Sequence, residues 1–84
     1  MNIIEDDLKD ILIQDLFVEM TKDKILPSLH LRRDLGVDSL GFVELRTQIE
    51  QRFGVRITDD EFTPENFSTL STLASLIEQH RSAG

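Results

Sequence analysis

Phe42, Leu45, Ile49 and Phe53 recur at helical spacing across the middle of the chain, and Gly54 follows the last of them. At about 100° per residue these four fall on one narrow face, which predicts a helix over Leu40–Phe53 with that face against a core. Gly54 is placed to end it as a left-handed residue. Ile4, Leu8, Ile11, Leu12 and Leu16 form a second stripe, with Phe17 and Met20 near its end. They predict a helix from Ile3 to Met20, opened by a capping box of Asn2 and Glu5. A third helix opens at Ser68 or Thr69 and carries Leu70, Leu73, Ala74 and Ile77 as its stripe, flanked by Leu76. His80 and Arg81 sit in its last turn, where cations suit the helix dipole. A capping box at Thr58-Asp59-Asp60-Glu61 predicts a short helical turn near Asp59–Phe62, and Thr63-Pro64 restarts one as N-cap and first helical residue. The expectation is an all-α fold: a small antiparallel bundle of three main helices plus one short helix. It forms a single domain over 1–84, folded from about 3 to 80, with 81–84 as a frayed tail.

Thr21–Asp38 has no sustained period, and Pro27 disfavours helix at Leu26. Yet Ile25, Leu26, Leu29, Leu31, Leu35 and Val37 make it too apolar for a free linker. A long ordered loop, pinned to the core by these residues, is expected; such loops are uncommon in compact domains and often functional.

With 84 residues the chain can bury one core but has little material for a deep catalytic cleft. The net charge of −7 argues against nucleic acid as a partner, because phosphate binding needs clustered Lys and Arg. Residues 1–38 hold nine acids and five bases, 39–57 two and three, and 58–84 five and one, so the central helix is not the acidic part. The absence of cysteine removes disulfides, thiolate metal sites and a Cys nucleophile. A thiol needed for function must therefore be brought in. No apolar run is long enough to span a membrane and no signal peptide is visible, so a cytoplasmic protein is expected.

Leu40 and Val43 fall off the apolar face of the central helix, among Glu44, Thr47 and Gln51. Two such residues are either ordinary surface positions or the centre of a docking patch. Ser39 immediately precedes them, at the joint between loop and helix. A serine there is commonly just a cap. Here Gly36 lets the loop turn tightly, and the helix N-terminus offers free amides and a favourable dipole to an attached phosphate. No base is placed to activate the hydroxyl: His30 and His80 are isolated, without metal-pair spacing, and read as ordinary surface or capping residues. Neither a phosphate-binding glycine loop nor a calcium loop occurs, since Asp59-Asp60-Glu61 lacks the required spacing. No metal site and no intrinsic catalytic residue is expected. Ser39 reads as a residue modified by another enzyme. An autonomous serine hydrolase is the weakest alternative; a helical adaptor in which Ser39 only caps is the other.

Leu35-Gly36-Val37-Asp38-Ser39-Leu40, then Val43-Glu44-Leu45 and Ile49-Glu50-x-x-Phe53-Gly54-Val55-x-Ile57, resembles the carrier protein family. That family comprises the acyl carrier proteins of fatty acid and polyketide synthesis and the related peptidyl carriers. The resemblance spans essentially the whole chain and implies a discrete carrier. It implies 4′-phosphopantetheine on Ser39, installed from coenzyme A by a magnesium-dependent phosphopantetheinyl transferase, with acyl groups held as thioesters on its thiol. Asp38 and Leu40 would flank the site for the transferase, and Leu40, Val43 and Glu44 would meet partner enzymes. Those partners would be an acyltransferase or an acyl or aminoacyl ligase, a ketosynthase or other pathway enzymes, acting on a monomer. Fatty acid carriers have a strongly acidic recognition helix, whereas Arg46 and Arg52 interrupt Glu44 and Glu50 here; Arg46 and Glu50 are spaced for an i,i+4 pair. Gly41 weakens the helix and is expected to allow close approach of a partner or the arm. Thr63-Pro64-Glu65-Asn66-Phe67 is similar to peptidyl carriers. The preferred placement is polyketide or mixed polyketide/nonribosomal peptide biosynthesis, with a peptidyl or aminoacyl carrier or a fatty acid carrier as alternatives.

Overall fold

The computed structural model describes residues 3–83, with side chains as far as Arg81. Three helices carry the fold: α1 (Ile3–Gln14), α2 (Ser39–Phe53) and α3 (Leu70–Ala83). A single 3₁₀ turn forms at Lys22–Lys24, and the only β pairing among the described residues is an isolated bridge between His30 and Thr69. The all-α architecture follows the three predicted stripes. Leu8, Ile11 and Leu12 of α1, Leu45 and Ile49 of α2, and Leu70, Leu73 and Ile77 of α3 are all fully buried in one core. α1 packs against both other helices. Gly54 ends α2 in the left-handed region at φ 64°. α3 runs on to Ala83, through residues expected to fray, whereas the proposed Asn2 cap and Gly84 lie outside the described residues.

Two predicted elements differ. The first helix ends at Gln14 and not at Met20. Leu16 donates its amide to the Ile11 carbonyl at 3.2 Å, Val18 donates to Leu12 at 2.9 Å, and Phe17 between them takes φ 60°. From there Leu16, Val18 and Met20 pack on the core while Phe17 and Glu19 face out. That is an alternation of two, which competes with the helical period over the same residues. The short helix is also absent. Both caps form, with Thr58 and Glu61 exchanging amide–side-chain bonds at 3.0 and 3.2 Å, and Thr63 Oγ1 accepting from the Asn66 amide at 3.1 Å. Each is followed by an isolated turn (Phe62 amide to Thr58 carbonyl, Phe67 amide to Thr63 carbonyl) and goes no further. Pro64 cannot donate an amide to continue the first turn.

The long loop is ordered as expected. Ile25, Leu31 and Val37 are buried, although Leu26 stays exposed. Its backbone is tied to the start of α3: Leu31 donates to the Ser68 carbonyl at 2.9 Å and Ser71 to the Pro27 carbonyl at 3.1 Å.

The segment after α2 is held by side chains. Ile57 is buried, so its peptide groups need partners that neither helix nor sheet supplies. Glu50 accepts from the Ile57 amide at 2.8 Å, and Arg46 donates to the Ile57 carbonyl. Arg46 also reaches Asp59 at 3.0 Å and lies over the Phe62 ring at 5.0 Å. Arg46 and Glu50 thus clamp one residue instead of pairing with each other. Arg52 turns to α1, meeting Asp7 at 3.0 Å and Asp10 at 3.4 Å. His80 Nε2 lies 2.9 Å from Glu61, joining α3 to the turn. Glu61 is held below its ordinary value, first by the Thr58 amide and also by His80, against a desolvation that works the other way. No described helix is long and apolar enough to cross a membrane.

Candidate functional site

Loop and helix meet at a joint that leaves Ser39 exposed. Gly36 turns the chain at φ 74°, and Val37 is buried beneath it, its amide donating to the Leu31 carbonyl at 3.0 Å. With Val37 anchored, Asp38 is extended and caps α2, its carboxylate accepting from the Gly41 amide at 2.8 Å. Ser39 is the first residue of α2 and is exposed. The Asp38 carbonyl accepts from Phe42, the first intrahelical bond, so the amides of Ser39 and Leu40 have no partner within the helix. An exposed hydroxyl beside two free amides, at the positive end of a fifteen-residue helix, suits a phosphodiester. Asp38 adds the opposite charge, and its cap uses up the third amide.

Gly41 has a reason internal to the chain. A Cβ there would meet Val37 Cγ1 at 3.0 Å and Asp38 Oδ1 at 3.3 Å, with Leu16 Cδ2 at 3.8 Å. Its absence lets the protein's own loop press against α2.

The remaining expected residues are exposed but divided. Leu40 is 82% exposed and Val43 54%, and Glu44 is exposed with its carboxylate accepting from Gln48 Nε2 at 2.7 Å. Leu40 and Glu44 line a hollow of about 420 Å³ on the α1 side, where Asp15, Asp38 and Phe17 also contribute. Val43 lines a different groove, of about 400 Å³, that includes Ser39. Phe42, Phe62, Phe67 and Pro64 give this groove apolar walls, while Arg32 and His30 are polar members of its lining. Phe67 sits edge-on to both other rings, with centroids 4.8 Å from Phe62 and 6.4 Å from Phe42.

Neither histidine serves Ser39. His30 Nε2 lies 3.1 Å from Ser68 Oγ, while its buried Nδ1 has no partner, which favours the tautomer donating through Nε2. His80 is engaged with Glu61.

Sequence reasoning missed Phe17 and Arg32. Phe17 is 78% exposed in a backbone region that bulky residues rarely adopt. The alternation from Leu16 to Met20 was the signal for it. Arg32 carries no local sequence signal, because its nearness to Ser39 depends on the path of the loop.

Comparison with known proteins agrees with this geometry. The family model described as a phosphopantetheine attachment site matches residues 6–77. An acyl carrier protein of Zymomonas mobilis is 36% identical over 74 residues, covering 88% of this chain and 90% of that one. The solution structure of a holo acyl carrier protein from Nitrosomonas europaea superposes with a TM-score of 0.80 at 27% identity, covering all of both chains. A crystal structure of Bradyrhizobium japonicum glycine:[carrier protein] ligase with glycylated carrier protein includes a chain 32% identical, with a TM-score of 0.67 and coverage of 89% of this chain and 95% of that one. With a helical bundle that displays a serine at a helix start, and a family match across nearly its whole length, this chain belongs to the acyl carrier family, whose prosthetic group is 4′-phosphopantetheine.

Proposed function

We propose that Ser39 carries the 4′-phosphopantetheine arm and that the chain is a covalent shuttle with no catalysis of its own. The observation that carries this reading is the Ser39 hydroxyl itself, exposed at the α2 start with free amides beside it, while His30 is engaged with Ser68 and His80 with Glu61. In loading, a transferase must remove the Ser39 proton as Oγ forms a bond to the β-phosphorus of coenzyme A. The pyrophosphate bond breaks, and 3′,5′-adenosine bisphosphate leaves. The arm then supplies the thiol that this cysteine-free chain lacks, and acyl groups ride on it as thioesters. Within the chain, Asp38 fixes the first turn of α2 and hence the direction of Oγ. Leu40, Val43 and Glu44 offer the transferase and pathway enzymes an exposed apolar pair beside a carboxylate.

The placement we favour is polyketide or mixed polyketide–peptide biosynthesis. An aminoacyl cargo is supported by the likeness to a carrier that a glycine ligase loads. A fatty acid role is the second reading, and one finding favours it. Arg46 and Arg52 are held by Ile57, Asp59, Asp7 and Asp10, so they do little to cancel the negative charge of the exposed patch.

Incubation with coenzyme A, magnesium and a broad-specificity transferase tests the shuttle reading by intact mass. One phosphopantetheine should be added, and the holo protein should then accept a glycyl or malonyl group from a matching ligase or acyltransferase. Failure of several transferases to modify the unmutated protein would sink it.

A further inference from the structure

Two hollows open beside the N-terminus of α2, and they differ in charge. The one on the α1 side is lined by Asp15, Asp38 and Glu44, with no lysine or arginine. The groove that contains Ser39 has Arg32 in its lining, and no carboxylate. Of the other arginines, Arg33, Arg46, Arg52 and Arg81 are engaged, with Asp34, Ile57 and Asp59, Asp7 and Asp10, and the Phe53 ring, while Arg56 lines neither hollow. Among the described residues Arg32 has neither a hydrogen bond nor an ion pair, and it is exposed. A phosphodiester on Ser39 would place a permanent negative charge between these two surroundings. Guanidinium presents a planar fork that matches two phosphate oxygens, and its charge does not titrate in water. Carboxylates on the other side repel the same group.

Resting on Ser39 as the attachment point, the geometry points to Arg32 as the residue that binds the phosphodiester and sets the direction of the arm. Arg32 draws the phosphate to the groove side, and the arm's apolar dimethyl portion then lies along Phe42 and Phe67. The acidic hollow of Phe17 and Leu40 stays open for proteins. Orientation thus comes from a charge gradient across the helix start, without a closed pocket. Arg32 is a positioning residue, because the reacting thiol is at the far end of the arm.

The test uses holo protein with its arm labelled, as wild type and as Arg32→Lys, Arg32→Gln and Arg32→Glu. Intact mass first establishes that Ser39 is loaded. The readouts are the ³¹P shift of the phosphodiester and nuclear Overhauser contacts from the arm's methyl groups to the Phe42 and Phe67 rings. In wild type those contacts should be present, and ones to Phe17 absent. Arg32→Gln should reduce them about two- to fivefold, the range of an exposed charge pair, and Arg32→Glu further. Arg32→Lys should retain most of them, whereas molar salt should bring wild type down to the Arg32→Gln level. Melting points should coincide, since Arg32 makes no contact that folding needs. Identical ³¹P shifts and contacts in all four proteins would overturn the role of Arg32 while leaving attachment intact. An arm found against Phe17 would do the same. An unmodified Ser39 would overturn both.

Discussion

Replacing Arg46 with methionine separates a structural arginine from a recognition arginine. Its guanidinium donates to the carbonyl of Ile57, a residue 1% exposed, so the substitution strands a buried acceptor. A hydrogen bond from a charged donor contributes about 1.5–3 kcal/mol, much of it the cost of leaving the partner unsatisfied. The stacking over Phe62 adds about 0.5–1 kcal/mol, part of which a methionine thioether recovers on the same ring. The Asp59 ion pair adds almost nothing, because that carboxylate is 96% exposed and screened. The expected loss is about 2 kcal/mol, a drop of roughly 8–16 °C in melting temperature for a domain this small. Asp59→Asn should cost under about 0.5 kcal/mol. Urea and thermal melts followed by circular dichroism measure both. If Arg46→Met melts with wild type, or if Asp59→Asn loses as much as Arg46→Met, the clamp on Ile57 is not what holds this segment.

Other substitutions probe the remaining joints. Phe17→Gly should stabilise by about 1 kcal/mol in urea melts, since left-handed backbone strains a bulky residue and an exposed ring buries little; a net loss would show that the ring contributes to folding. Gly41→Ala should fail to deliver the ~1 kcal/mol that alanine ordinarily adds inside a helix, because its methyl would press on Val37 and Asp38; a full gain would refute the tight approach. Glu61 is held below its ordinary value of 4.5, so its ionised form stabilises the fold above that pH. The contribution fades as pH falls through the lowered value, so the gap between wild type and Glu61→Gln should be open at pH 7 and narrow progressively as pH falls below 4.5. A gap independent of pH would exclude ionisation as its source.

Periodicity made the helices legible wherever one period had no rival. Leu45, Ile49 and Phe53 on α2 and Leu70, Leu73 and Ile77 on α3 are buried as their spacing demands. Between Leu16 and Met20 a helical reading and an alternating one share the same apolar residues, and the alternating burial prevails. The capping boxes at Thr58 and Thr63 were readable as bonds but not as a helix, because a cap satisfies amides without supplying the residues to propagate a turn. Arg46 and Glu50 show the limit of local spacing. Four residues apart, they fit a helix pair, but a buried peptide group eleven and seven residues further on takes both side chains. For the candidate site, exposed Leu40 and Val43 followed from the helix wheel, and Ser39 from its place at the joint and the motif around it. Phe17 arrives there through the early end of the first helix, and Arg32 only through the fold of the long loop.

The most direct test of Ser39 is peptide-level mass spectrometry after loading with coenzyme A and a transferase. The phosphopantetheine should reside on the peptide containing Ser39 and be missing from Ser39→Ala, which should still fold as a helical bundle. A modified Ser39→Ala protein, or an arm found on Ser28, Ser68, Ser71 or Ser75, would contradict the assignment.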